Sequence, residues 1–217
     1  MRRLQDDTMA TPPVQPLDRW IVRLRAIVGP EPLAGIDPGN FADESGHRRK
    51  VDRPLLAWLT DGPCEPISGG GLDVELWYAL ATGEEVPGSF SDAGPLQDAQ
   101  APERGEVAIE VWTERELAAI QALWTLGGRR GEPTLTQRAE AAARWCVAEL
   151  QPDNATAHPW GVNAFVSLAV QGDFEADLYA QGLVHNAQVA TGRPGRFARL
   201  VLLASLRSLE MRTLRVG

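Results

Sequence analysis

The sequence predicts an all-α protein of about seven helices, with antiparallel helical hairpins in the C-terminal half and a loop-rich N-terminal half. Three observations carry this. Apolar residues recur at three- and four-residue spacing through most of the chain beyond residue 113. The periodic stretches tend to start at Pro or a capping residue and to stop at Gly. Strand-like alternation occurs only in two short places, 73–82 and 106–112, and a lone strand has nothing to pair with.

The first helix is expected from Pro16 to Val28, where Leu17, Trp20, Ile21, Leu24, Ile27 and Val28 share one stripe and Gly29-Pro30 closes it. Residues 30–50 read as loop. The basic run His47–Lys50 lies beside Asp43 and Glu44 and is expected to be solvated surface. Asp52 to Leu59 predicts a short helix with Pro54 in its first turn. Gly69-Gly70-Gly71 is no phosphate loop: no GK[ST] follows, and Asp73 and Glu75 would repel phosphate. Asp73 is expected to cap a helix from Val74 to Thr82 ending at Gly83. Val74, Leu76, Tyr78 and Leu80 also alternate as a strand would, so both assignments stay open there.

Residues 83–105 carry Gly, Pro, Ser and acids without periodicity, which predicts an exposed acidic linker. The expected organisation is therefore a loose tail at 1–15, short helices and loops at 16–82, the linker, and a helical core domain at 106–217. Val107, Ile109 and Val111 suggest a single short strand near 106–112. Thr113–Glu116 and Thr134–Gln137 match the capping-box pattern and are expected to open helices ending at Gly127-Gly128 and Leu150. Three more helices follow: Pro159 to Gln171, Phe174 to Thr191 capped by Asp173, and Arg196 to Leu214. The last is apolar nearly all round its middle and is expected to run through the core.

The segments EVWTEREL (Glu110–Leu117), ELQPDNATAHPW (Glu149–Trp160) and EADLYAQGLVHNAQVATGRP (Glu175–Pro194) resemble those of an uncharacterised group of bacterial all-helical proteins. DRPLLAWL (Asp52–Leu59) and DVELWYALATGE (Asp73–Glu84) are similar to it too, so the resemblance covers most of Asp52 to Glu210. It implies a helical fold and no activity or catalytic residue.

Composition narrows the function. With 21 basic and 29 acidic side chains the net charge is −8, which gives no general attraction for nucleic acid. Lys50 is the sole lysine, a bias expected of a GC-rich genome. The N-terminus lacks the apolar run of a signal peptide, and no apolar stretch approaches the ~20 residues of a membrane span, so a cytoplasmic protein without membrane contact is expected. Cys64 and Cys146 stand far apart and read as reduced thiols. No GxGxxG, Walker, GxSxG or HExxH pattern occurs, so no cofactor or metal is expected.

One constellation is derivable. The short turn at Gly172-Asp173 should make its flanking helices antiparallel. Residue 158 then falls near 187 and residue 160 near 185. His158 and Trp160 would meet His185 and Asn186 at the end away from the turn, with Asp153 and Asn154 in the adjoining loop. A histidine beside a carboxylate can act as a general base, and exposed helix N–H groups can hold an anion. The same residues also suit a structural role. His185 shares a stripe with Leu178, Gly182 and Val189, and Asp153, Asn154 and His158 are residue types that cap helices. Two functions follow. The first is a non-catalytic interaction or scaffold protein, with seven tryptophans for an interface to a protein partner or a second copy. The alternative is a small-molecule enzyme or binding protein using a cleft at the Asp153/His158/Trp160/His185 end.

Overall fold

The computed structural model describes residues 14–86, 93–150, 158–189 and 192–216. Among these residues it is all-helical: α1 (Leu17–Val28), α2 (Asp52–Thr60), α3 (Leu72–Thr82), α4 (Ile109–Arg130), α5 (Pro133–Glu149), α6 (Val162–Val170), α7 (Phe174–Val189) and α8 (Arg196–Val216). The helices exceed the expected seven because 72–82 is helical. In α3 Val74, Leu76, Trp77, Ala79 and Leu80 are all buried, so the strand-like alternation belongs to a helix covered on more than one side.

The strand near 106–112 is not there: α4 begins at Ile109, and no described residue lies in a strand. Ile109 and Val111 sit on the exposed first turn, 43% and 44% accessible, so their spacing reports no buried face. A lone strand would leave its backbone groups without partners, whereas a helix satisfies them locally.

Neither capping box forms. α4 starts after Ala108 and α5 after Glu132, and Thr113 and Thr134 lie within the helices. The buried Glu116 carboxylate does not fold back to Thr113; it accepts backbone N–H groups from Leu96 (2.6 Å) and Gln97 (2.9 Å). These bonds draw the chain at 95–97 onto α4 and bury Pro95 and Leu96, so this part of the expected exposed linker is packed. Gly127-Gly128 does not end α4 either. The helix continues to Arg130 and closes at Gly131 in the left-handed region. A Cβ on Gly127 would stand 2.5 Å from Thr136 Oγ1 and 2.7 Å from its backbone N, so this glycine permits α5 to fold back tightly.

Pro159 does not open α6. A turn runs to Gly161 at φ 79°, and the helix starts at Val162. Gln121 Oε1 accepts the Gly161 N–H (2.8 Å), which fixes the turn on α4. Asp173 caps α7 as expected, accepting the Ala176 N–H (3.0 Å).

α4 is the hub, packed on α3, α5, α6 and α8, while α1 lies along α8 and touches α6. In α8 Leu200, Val201, Leu202 and Ala204 are fully buried at 0%, consistent with a core helix. One apolar cluster reaches from Trp20 in α1 to Leu209 in α8, so the residues on both sides of 83–105 share a core. The arginines of the long helices cap the short ones. Arg199 donates to the Val28 carbonyl at the end of α1 (2.9 Å), Arg207 to Leu59 near the end of α2 (2.5 Å), and Arg129 to Leu80 in the last turn of α3 (2.6 Å). No described helix is long and apolar enough to cross a membrane.

Candidate functional site

The chemistry concentrates where the loop before α2 meets the starts of α3 and α4. Asp43 organises that loop: its Oδ1 accepts the N–H groups of Ser45 (2.9 Å) and His47 (2.8 Å), leaving Oδ2 for Arg49 Nη2 (2.8 Å). Burial opposes ionisation of Asp43, but the Arg49 hydrogen bond and the two backbone donors outweigh it and bring the carboxyl down to about 2. Arg49 is thus turned inward, its guanidinium 4.3 Å from the Phe197 ring centroid. The solvated surface expected for 47–50 holds for His47, Arg48 and Lys50, which are exposed, and fails for Arg49.

His158 continues the chain of contacts. Its Nε2 lies 3.3 Å from Arg49 Nη2, its Nδ1 lies 2.5 Å from Glu114 Oε1, and its ring stands edge-on to Phe197. Arginine is an obligate donor, so Nε2 is the acceptor and Nδ1 carries the proton given to Glu114. His158 therefore orients Glu114 and is not a free base. Burial would raise the Glu114 carboxyl, but the hydrogen bond from His158 and the positive charge of Arg49 hold it below its ordinary range. Behind them Asp52 is 3% exposed. Its Oδ2 accepts the Arg49 N–H (2.7 Å), and burial pushes its carboxyl up to about 6 despite that bond.

In front of this cluster opens a cleft of about 540 Å³, lined by Arg49, Lys50, Val51, Gly70, Gly71, Asp73, Val74, Val111, Glu114 and Arg115. Asp73, in the first turn of α3, is 6% exposed, and burial raises its carboxyl against the pull of the Val74 N–H and Arg115. Arg49 Nη1 and Asp73 Oδ1 are buried and have no hydrogen-bond partner among the described residues. Unpartnered buried polar atoms of opposite sign are costly unless something else meets them.

The residues expected to converge are distributed differently. His158 and Trp160 do share a place, both against Phe197, and Trp160 is packed in the core at 1% exposure between Trp77 and Phe197. His185 is an exposed side chain of α7, on the same face as Leu178 (49%) and Val189 (65%), so the buried stripe expected for it is a solvent face. α7 buries Ala176, Asp177, Tyr179, Ala180, Leu183 and Val184 instead. Asn186 is half-buried, and Asp153 and Asn154 lie outside the described residues. Among the described residues no three His, Cys, Asp or Glu side chains converge as a metal site. Arg49, Glu114 and Asp73 were not expected at the site. The turn sequence Asp43-Glu-Ser-Gly46 was the available signal that the basic run does not all point outward.

No protein-family model matches the chain, and no curated protein or solved structure matches it.

Proposed function

We propose that this protein binds a small polar molecule in the cleft between the 43–51 loop, Gly70–Val74 and the first turns of α4. The observation that carries the reading is a cleft of about 540 Å³ whose lining sets Arg49, Lys50 and Arg115 against Asp73 and Glu114. That volume is in the range of small-ligand sites, and Val51, Val74 and Val111 supply the apolar lining such sites combine with a few polar anchors. His158 and Arg49 hold Glu114 in a fixed position at the cleft wall, as a binding site needs of its polar groups.

Six of the seven tryptophans, Trp20, Trp58, Trp77, Trp112, Trp124 and Trp160, are buried and Trp145 is half-buried, so they offer little aromatic surface in favour of an interaction protein. The test is a thermal-shift screen of charged and polar metabolites, followed by titration calorimetry on wild type and Arg115→Gln. Arg115 is exposed at the cleft and bears on binding more than on folding. Saturable binding weakened by Arg115→Gln is the expected result. A complete screen without a hit, or hits indifferent to every lining substitution, overturns the reading.

A further inference from the structure

The cleft also specifies a ligand class, an inference that rests on the binding reading above. We infer that its ligand is a zwitterion of the α-amino-acid type with an apolar side chain, its carboxylate facing Arg49, Lys50 and Arg115 and its ammonium facing Asp73.

Charge complementarity carries the inference. The lining presents three cations and two carboxylates. Glu114 is already engaged by His158, which leaves Asp73 as the carboxylate with an unsatisfied oxygen. On the cationic side, Arg49 is paired with Asp43 through Nη2 but keeps Nη1 without a partner, and among the described residues Lys50 makes only long contacts to the Ser68 (3.5 Å) and Gly69 (3.3 Å) carbonyls. A dianion such as a phosphate monoester would satisfy the arginines and be repelled by Asp73. A simple amine would satisfy Asp73 and be repelled by three cations. A molecule with both charged groups on one carbon meets both demands, and rejection of the one-charge alternatives is the negative half of specificity.

A Cβ built on Gly71 would lie 2.7 Å from Asp73 Oδ1 and 3.7 Å from Arg115 Cδ, so the carboxylate and an arginine stem flank a single glycine. Gly71 has an ordinary φ of −90°, so the conformation does not demand glycine; the missing side chain makes room for the Asp73 carboxylate, which a Cβ would displace. Val111, 44% exposed at the cleft, gives an apolar side chain something to cover.

The experiment uses the full chain and the twenty standard amino acids singly in a thermal-shift assay, with calorimetry on those that stabilise. Phenethylamine and 3-phenylpropionate serve as the one-charge controls. Expected is binding of an apolar amino acid at least about ten-fold tighter than either control, because a site with paired polar demands discriminates strongly against an analogue lacking one. Asp73→Asn should weaken the amino acid and spare 3-phenylpropionate, while Arg115→Gln should weaken both and spare phenethylamine. Circular dichroism on each variant confirms that it is folded. Controls that bind as tightly as the amino acid overturn the zwitterion and leave the cleft reading standing. No binding of any amino acid by folded wild type overturns the zwitterion, and the broader metabolite screen then decides the cleft reading separately.

Discussion

Asp52 and His158 are the side chains whose surroundings make the sharpest demands. Asp52 has its carboxyl raised to about 6 by burial, from an ordinary 3.8. The folded state thus holds this proton more tightly than the unfolded chain. The stabilisation is fully present below about pH 3.8 and is lost as pH rises through about 6, roughly 3 kcal/mol in all, with about 1–2 kcal/mol of it between pH 5 and 8. Asp52→Asn should remove that slope, so its stability relative to wild type rises across the interval when urea denaturation is run at several pH values. Parallel curves for the two proteins would mean that Asp52 is ionised at no cost. Asp43 works in the opposite sense: its carboxyl, held to about 2, contributes stability above about pH 3.8 that is lost as pH falls toward 2. A second residue-scale contrast separates the two histidines. His158→Ala deprives Glu114 of its donor and Arg49 of an acceptor, and should cost about 1–3 kcal/mol. His185→Ala, at an exposed position, should stay within about 0.5 kcal/mol of wild type. Equal losses in a denaturant titration would refute the placement of His185 on a solvent face.

Elements depend on how close they come, and the junction of α4 with α5 tests this. Both Gly127 and Gly128 lie in the last turn of α4, where alanine is the better helix former by about 0.5–1 kcal/mol. A Cβ at 128 meets nothing within 4 Å, so Gly128→Ala should raise stability by that amount. At 127 the new carbon would collide with the Thr136 backbone, which cannot swing aside as a side-chain tip can. Gly127→Ala should therefore lower stability, by about 1–3 kcal/mol, despite its better propensity. Melting temperatures that move the same way for both variants would show that the corner is looser than its geometry implies. The arginine caps belong to the same scale: α8 and α4 supply donors for carbonyls at the ends of α1, α2 and α3, which gives Arg199, Arg207 and Arg129 structural roles.

Across the whole molecule an aromatic column joins the two halves of the chain. Trp58 meets Trp77 (5.8 Å between centroids), Trp77 meets Trp160 (5.7 Å), Trp160 meets Phe197 (5.7 Å), and Phe197 meets Phe41 (6.3 Å). Unfolding either half would strip the other of this packing, so the described residues should unfold together. Tryptophan fluorescence and far-ultraviolet circular dichroism should give coincident urea transitions. Trp160→Ala should shift both together, by about 3–5 kcal/mol. Two separated transitions would mean that 16–82 and 106–217 are independent units after all.

The sequence by itself determined the helices whose signals are local: the stripe of α1 between Pro16 and Gly29, the Asp173 cap of α7, the Gly83 stop of α3 and the apolar middle of α8. Each depends on periodicity and backbone preference within one or two turns. Where the local signal failed, a distant partner had taken the group concerned. Glu116 left its box for the Leu96 and Gln97 N–H groups, Gly161 stopped Pro159 from opening α6 by binding Gln121, and Gly127 lies inside its helix, where it makes room for Thr136 instead of stopping α4. The site followed the same rule. His158 was singled out from the sequence, but its partners Glu114 and Arg49 lie 44 and 109 residues away along the chain. Such contacts depend on how α4 and α8 cross the N-terminal loop. Spacing along the chain does not encode that crossing; only the packed core decides it.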